Sequence, residues 1–191
     1  MIRGHKVILR PFRDGFSDEE LWLQYKWSRD KDIVRWSNMA PSTLSFADFV
    51  QQFQCHIMSN PAERELFAIL LAEGGTLIGR IGYFNVNARN QEAELGIIIG
   101  EKEYWGQGYG PDAMATLVEY IFPNTSLERV YLFTLQANIR AHACFAKSGF
   151  REIARNRRFA FDGGEYEDVQ MEMTRHDWLV HNNARIADYQ R

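Results

Sequence analysis

Glu92-Ala93-Glu94-Leu95-Gly96-Ile97-Ile98-Ile99, leading to Tyr104-Trp105-Gly106-Gln107-Gly108-Tyr109-Gly110-Pro111-Asp112, is the stretch on which the reading of this chain turns. The first part reads as a strand. The second holds three alternating glycines and then Pro111 at a helix start, with Met114, Leu117, Val118 and Ile121 on one helical face. Such glycines free the backbone to gather several N–H groups directly before a helix N-terminus. Unpaired amides at the positive end of the helix dipole make an anion site, most naturally for phosphate or pyrophosphate. The plainer reading, a tight strand-to-helix turn shaped by glycine, stands beside it.

Outward from this centre the punctuation is regular. Leu66–Ala72 and Thr76–Val86 read as strands joined at Gly74-Gly75, a pair suited to the positive φ angles of a tight hairpin. Ala88-Arg89-Asn90 then turns the chain into the 92–99 strand, which completes an antiparallel meander. A dinucleotide fingerprint follows the first strand of a βαβ unit, and a P-loop needs a Lys-Ser/Thr pair, so NAD and ATP both fit poorly. Downstream, Val130–Leu135 is a strand that a helical crossover sets parallel to the 92–99 strand. Asn138 caps a short helix that ends at Gly149. Two last strands, about 150–161 and 165–174, meet at Asp162-Gly163-Gly164. Upstream, Val7, Leu9 and Phe12 lie in a first strand, with Pro11 near an edge. Ser17-Asp18-Glu19-Glu20 is a capping box flanked by Phe16 and Leu21 as a hydrophobic staple, which predicts a helix over about 18–29. A second helix starts at Ser45 and carries Phe46, Phe49, Val50, Phe53 and Ile57. The stretch between these helices, through Trp36 and Met39-Ala40-Pro41, reads as loop.

The sum is an α/β (α+β) domain with a mixed sheet flanked by helices over residues 1–176, followed by a helical tail over 177–191. The 191 residues suit one domain, and 46% hydrophobic with 14% aromatic content argues against disorder. With 22 Lys+Arg against 25 Asp+Glu, the net charge of −3 gives no global pull toward nucleic acid or an anionic membrane. Leu66–Ala72, the longest apolar run, falls far short of the ~18 residues of a membrane span, and no signal-peptide stretch opens the chain. Cys55 and Cys144 make neither a disulfide framework nor a zinc site, and no metal is expected. These features describe a soluble, cytoplasmic domain.

Three segments together carry a family resemblance. Asn138-Ile139-Arg140-Ala141-His142-Ala143-Cys144-Phe145-Ala146-Lys147-Ser148-Gly149-Phe150 resembles the Asn…Lys-x-Gly-Phe helix of the GNAT N-acetyltransferases. Ala93–Ile99 running into Tyr-Trp-Gly-Gln-Gly-Tyr-Gly is similar to that family's fourth strand and acyl-CoA pyrophosphate loop. Phe161-Asp162-Gly163-Gly164-Glu165-Tyr166-Glu167-Asp168-Val169 is similar to the last hairpin of the branch that modifies ribosomal-protein N-termini, with spermidine acetyltransferases nearby. The resemblance covers roughly residues 6 to 175. It implies a sheet splayed between the fourth and fifth strands (92–99 and 130–135), with acetyl-CoA in the gap. Amides around Ile97 and Ile99 then hold the pantetheine arm, and amides of Gln107, Gly108, Tyr109 and Gly110 cradle the pyrophosphate. Asn138 contacts the arm near the thiol, and Phe145 and Lys147 lie along the cofactor, although Lys147 equally complements a helix C-terminus. Two positions depart from the family pattern. Trp105 stands where Gln or Arg often begins the loop, and Phe145 stands where many members carry the Tyr that protonates the leaving thiolate.

The chemistry implied is acetyl transfer to a primary amine, directly in a ternary complex. Glu94 is the candidate general base, on the strand facing the acetyl group in the family, with Glu92 two residues earlier on the same face as reserve. Tyr131 and Tyr166 are possible proton donors. His142 reads more readily as a surface or cap residue, and Cys144 as a small buried side chain, than as catalysts. A backbone N–H of the 92–99 strand meets the oxyanion. The aromatic residues Trp22, Tyr25, Trp27, Trp36, Phe46, Phe49 and Phe53 cover the acceptor side, mostly as core, with Asp30, Asp32 and Asp48 nearby. Arg151, Arg155, Arg157 and Arg158 form a local basic patch. The expected acceptor is a protein N-terminal α-amine, then a polyamine or other small amine, including an antibiotic. A non-catalytic acyl-CoA sensor is the rival of a different class. The assembly expected is a monomer or homodimer.

Overall fold

The meander predicted around Gly74-Gly75 forms the left half of the sheet. In the computed structural model, which describes residues 1–37, 40–58, 63–159 and 164–180, β3 (Glu65–Leu71) and β4 (Leu77–Asn87) join through Gly74 and Gly75. Both glycines take positive φ, 79° and 67°. β5 (Glu92–Ile99) pairs antiparallel with β4 over its full length, from Gly79↔Ile99 to Asn87↔Glu92. On the other side of β3 lie β2 (Val7–Pro11) and the short β1 (Ile2–Arg3), the latter without any local signal in the sequence.

The right half is built from β6 (Arg129–Leu135), β8 (Glu165–Thr174) and β7 (Arg151–Phe159), and the strand order is β1-β2-β3-β4-β5-β6-β8-β7. β6 runs parallel to β5, as the crossover through α4 (Tyr109–Asn124) requires. Their pairing is confined to Glu92↔Arg129, Ala93↔Val130 and Glu94↔Tyr131. Beyond it, Leu95–Ile99 and Leu132–Leu135 diverge, and the two halves of the sheet open into a V.

Helices cover both faces. Ala113, Met114, Leu117, Val118, Ile121 and Phe122 of α4 are buried against Leu9, Ile69, Ile81, Leu95, Val130 and Leu132 of the sheet. That apolar face bridges both halves, and each fully buried Leu, Ile or Met contributes roughly 1.5–3 kcal/mol. On the opposite face, α1 (Asp18–Arg29) and α3 (Phe46–Met58) pack Trp27 and Phe53 with Ala68, Leu70, Leu77 and Ile98. The capping box at Ser17 is formed as expected: Glu20 N–H donates to Ser17 Oγ and Ser17 N–H to Glu20 Oε2. Ser45 likewise accepts from Asp48 N–H at 3.2 Å at the start of α3.

The stretch between these helices is not simply loop. Asp30 accepts from the N–H groups of Asp32 and Ile33 and starts α2 (Lys31–Val34), whose Ile33 and Val34 are buried. A single turn is too short to show periodicity, so only its cap is legible in sequence. α5 (Ile139–Lys147) follows β6, with Asn138 Oδ1 accepting from Ala141 N–H. After β8, Thr174 and Asp177 form a cap for a helix over 175–180. Arg175 there donates to the carbonyls of Thr125 and Leu127, closing the end of α4, and Trp178 packs on Phe122. Asp162 and Gly163 of the last turn, and 181–191 of the tail, lie outside the described residues.

Candidate active site

The open edge of β5 follows from hydrogen-bond alternation. Gly100 N–H donates to Ile78 O at 2.8 Å, so the bonded pairs continue at Arg80↔Ile98 and Gly82↔Gly96. Ile97 and Ile99 therefore turn their N–H and C=O groups away from β4, into the V. Leu95–Ile99 have no strand partner on that side, because pairing with β6 stops at Glu94. An extended chain lying in the V would meet the backbone groups of Ile97 and Ile99, the two residues singled out in the sequence.

Trp105 sits at the mouth of this gap. Its Nε1 donates to Ile99 O at 2.8 Å, and the Arg140 guanidinium lies 3.8 Å from the ring centroid. Ile99 belongs to one half of the sheet and Arg140, on α5, to the other, so the indole spans the opening. The departure from Gln or Arg thus retains a side-chain N–H donor and gains an aromatic wall.

Gly108 occupies the N-cap of α4 with φ 88° and ψ 1°, and no side chain caps this end. That left-handed conformation suits glycine. The uncapped first-turn amides of Tyr109 and Gly110 keep their N–H groups for a ligand, and Pro111 has none to waste. Gln107 folds its side chain back onto Glu103 O, clear of the loop. Tyr109 packs edge-on against Tyr104, 5.4 Å between centroids. At the far end of α5, Ser148 Oγ lies 3.5 Å from Pro111 O, which brings the exposed Lys147 beside the first turn of α4. Phe145 is 6% exposed and belongs to the α4-side core, near Phe150. It supports the cleft from beneath and offers no proton.

On the opposite face of the sheet, register lines up Phe84, Glu94, Tyr131, Glu172 and Arg151 across β4, β5, β6, β8 and β7. Glu94 is half-buried at the point where β5 and β6 part. Asn85 Nδ2 donates to Glu94 Oε2 at 3.0 Å. Asn85 has φ 53° and lies at an irregularity in the β4–β5 register, a device that re-aims a side chain and leaves no sequence signal. Burial, then the nearby Glu94 and Glu92 carboxylates, push the Tyr131 hydroxyl above the usual tyrosine range.

The other carboxylates on this face are already paired. Glu92 meets Arg129 at 3.3 Å; Glu172 meets Arg129 at 3.4 Å and Arg151 at 2.5 Å; Asp168 meets Arg158 at 2.5 Å. Among the described residues, Glu94 has no ion-pair partner. Strand alternation also divides the basic patch: Arg151 and Arg158 share the Glu94 face, whereas Arg155 and Arg157 point to the other. Asp30 and Asp32 hold Lys102 at 2.8 and 2.6 Å and are not free to attract a cation. Arg155, which donates to Glu152 at 2.6 Å, holds the Glu152 carboxyl below the usual range. Burial pushes the Cys144 thiol up to about 12. The turn at Arg35–Ser37 comes against β6.

The acyl-CoA group implied by the resemblance fits these residues on two structural counts. A strand edge with unpaired amides faces the V, and an uncapped helix N-terminus lies at its mouth, at a glycine where any side chain would be strained. Among the described residues no helix is long and apolar enough to cross a membrane.

Known proteins share this fold. The solved spermidine N-acetyltransferase from Vibrio cholerae, in complex with CoA and spermine, superposes with a TM-score of 0.77 at 22% identity, covering 91% of this chain and 98% of that one. It shares the fold. In sequence, p20 of Bacillus licheniformis, an uncharacterised N-acetyltransferase, is 30% identical over 115 residues, 59% of this chain and 62% of the relative. YdaF of Bacillus subtilis, which carries the name of a ribosomal N-acetyltransferase, is 30% identical over 105 residues, 54% of this chain and 57% of its own length. The match thus spans less than two thirds of either relative. The model of the acetyltransferase (GNAT) domain matches residues 6–151, about three quarters of the chain and including both β5 and the glycine loop, and this chain belongs to that family.

Proposed function

We propose that this protein transfers an acetyl group from acetyl-CoA to the α-amine of a peptide or protein N-terminus, directly, with both substrates bound. Acetyl-CoA supplies an activated acyl thioester. In this reading Ile97 and Ile99 pair with the pantetheine arm, the amides of Gln107 to Gly110 hold the pyrophosphate, and Asn138 and Lys147 contact the cofactor along α5. The N–H of Ile97, turned into the V, donates to an oxygen that gains charge. Glu94 takes the proton from the acceptor amine, directly or through a water, a role worth ~10²–10⁴-fold. Tyr131, next in the same row and held protonated, is the donor that Phe145 cannot be.

The observation that carries the choice of acceptor is the state of the carboxylates on the Glu94 face. Free carboxylates would favour a polyamine with its several positive charges, yet Glu92, Glu172 and Asp168 are paired with Arg129, Arg151 and Arg158. One unpaired carboxylate suits one amine. An α-amine of pKa ~7.7–8.0 is also partly neutral at pH 7 and asks less of the base than an amine near ~10.4. The second reading, a polyamine acceptor, is favoured by the CoA–spermine complex of the Vibrio cholerae fold relative. Release of CoA thiol separates the two, measured with a free N-terminal tetrapeptide, the same peptide blocked at its α-amine, and spermidine. Turnover of the free peptide alone supports the proposal. Turnover of spermidine but not of the peptide replaces it with the second reading, and binding of acetyl-CoA without turnover of any amine points to a sensor.

A further inference from the structure

The turn between β1 and β2 lies on the first turn of α4, more than a hundred residues away in sequence. Asp112 accepts from the backbone N–H groups of His5 at 3.3 Å, Lys6 at 2.8 Å and Val7 at 3.1 Å. Gly4 permits this approach: a Cβ there would fall 2.3 Å from Thr116 Oγ1 and 2.7 Å from Asp112 Oδ2. The carboxylate of Asp112 is engaged by three backbone donors of the β1–β2 turn. The backbone of Lys6 is fixed beside the glycine loop. Its Nζ donates to Gln107 O at 2.9 Å and lies 5.4 Å from the Tyr109 ring centroid. It is 3.7 Å from the point where a Cβ on Gly108 would stand. An ammonium carries three donors, and Gln107 O takes one of them.

We propose that Lys6 binds acetyl-CoA directly, its ammonium meeting a phosphate of the cofactor at the glycine loop. This rests on the reading of that loop as the phosphate cradle. The backbone amides supply fixed partial charges there, and Lys6 adds a full one from a separate strand. A lysine that only braced the loop through Gln107 O would show the same bond, so the test must read phosphate.

Calorimetric titration of the full chain and its Lys6→Met and Lys6→Arg variants is run with acetyl-CoA, with its 3′-dephospho form, and with S-acetylpantetheine, which keeps the thioester and arm but carries no phosphate. The expected result is a loss of roughly tenfold or more in acetyl-CoA affinity for Lys6→Met, the scale of a lost charged hydrogen bond. Lys6→Arg restores most of it, and S-acetylpantetheine binding is unchanged. A tenfold loss kept with the dephospho form assigns the contact to the pyrophosphate; a loss that disappears assigns it to the 3′-phosphate. Equal weakening toward acetyl-CoA and S-acetylpantetheine overturns the proposal in favour of a brace, as does no weakening of either. If the unaltered protein itself does not distinguish acetyl-CoA from S-acetylpantetheine, the cradle reading fails, and Lys6 falls with it.

Discussion

Removing the charge of Glu94 while keeping its shape isolates proton transfer from binding. Glu94→Gln is predicted to lower kcat by about 10²–10⁴-fold with acetyl-CoA affinity unchanged, read by steady-state rates beside calorimetry. Equal loss of cofactor binding would move Glu94 from catalysis to the architecture of the V. Cys144 gives a second residue-level prediction. With its thiol pushed up to about 12, essentially no thiolate exists at pH 7.5, whereas Cys55 is exposed. A disulfide reagent should modify one thiol rapidly in the native protein and the second only on unfolding. Rapid labelling of Cys144, or an acetyl group trapped on it, would contradict direct transfer. Gly108 and Asn138 stand out in sequence because each sits in a local pattern, and Glu94 through the family resemblance of its strand. Asn85, Arg140 and Lys6 do not, since their partners Glu94, Trp105 and Gln107 are reached only through register or packing.

Elements with their own punctuation were read closely. The capping box fixed the start of α1, and the Gly74-Gly75 pair fixed the β3–β4 hairpin. Replacing Ser17 by alanine should cost about 1 kcal/mol of stability, measured by denaturant unfolding at unchanged m-value. Elements made by tertiary contact were missed. β1 is two residues held by Leu9 and Ile8, and α2 is one turn held by the burial of Ile33 and Val34. The contact of α1 with the end of β5 was equally hidden. Trp27 packs against Gly100, where a Cβ would stand 2.1 Å from the indole, and donates from Nε1 to Glu101 at 2.7 Å. Gly100→Ala should therefore destabilise by about 1–3 kcal/mol through overpacking, while Gly74→Ala, with open space around it, costs only the strain of its turn.

For the whole molecule, the sheet is one surface whose halves are tied at Glu92–Glu94 and held together by α4, with the V left open between them. Two acidic side chains make the stability of the fold depend on pH. The Thr174 hydroxyl, opposed by burial and helped by the Thr174 N–H and Arg151, holds Asp177 below the usual carboxylate range. Burial opposes ionisation of Asp30, but hydrogen bonds from Lys102 and Asp32 N–H hold it low as well. A carboxylate depressed in the folded state stabilises above its unfolded pKa of ~3.9, and that contribution is lost as pH falls through the lower folded value. Melting temperature should hold between pH 7 and 5 and fall below about pH 4. Asp177→Asn should be less stable at neutral pH and show a shallower acid decline; an unaltered acid slope would remove Asp177 from this account.

We propose that the gap beside β5 and the uncapped end of α4 form one acetyl-CoA site. Calorimetric titration of acetyl-CoA into the unaltered protein and into Gly108→Val tests it most directly, because a branched side chain at φ 88° both strains the loop and enters the space beside Lys6. Saturable binding to one site per chain, abolished in Gly108→Val while the melting temperature stays within a few degrees, is the predicted result. Equal binding by both proteins, or none by the unaltered one, would contradict it.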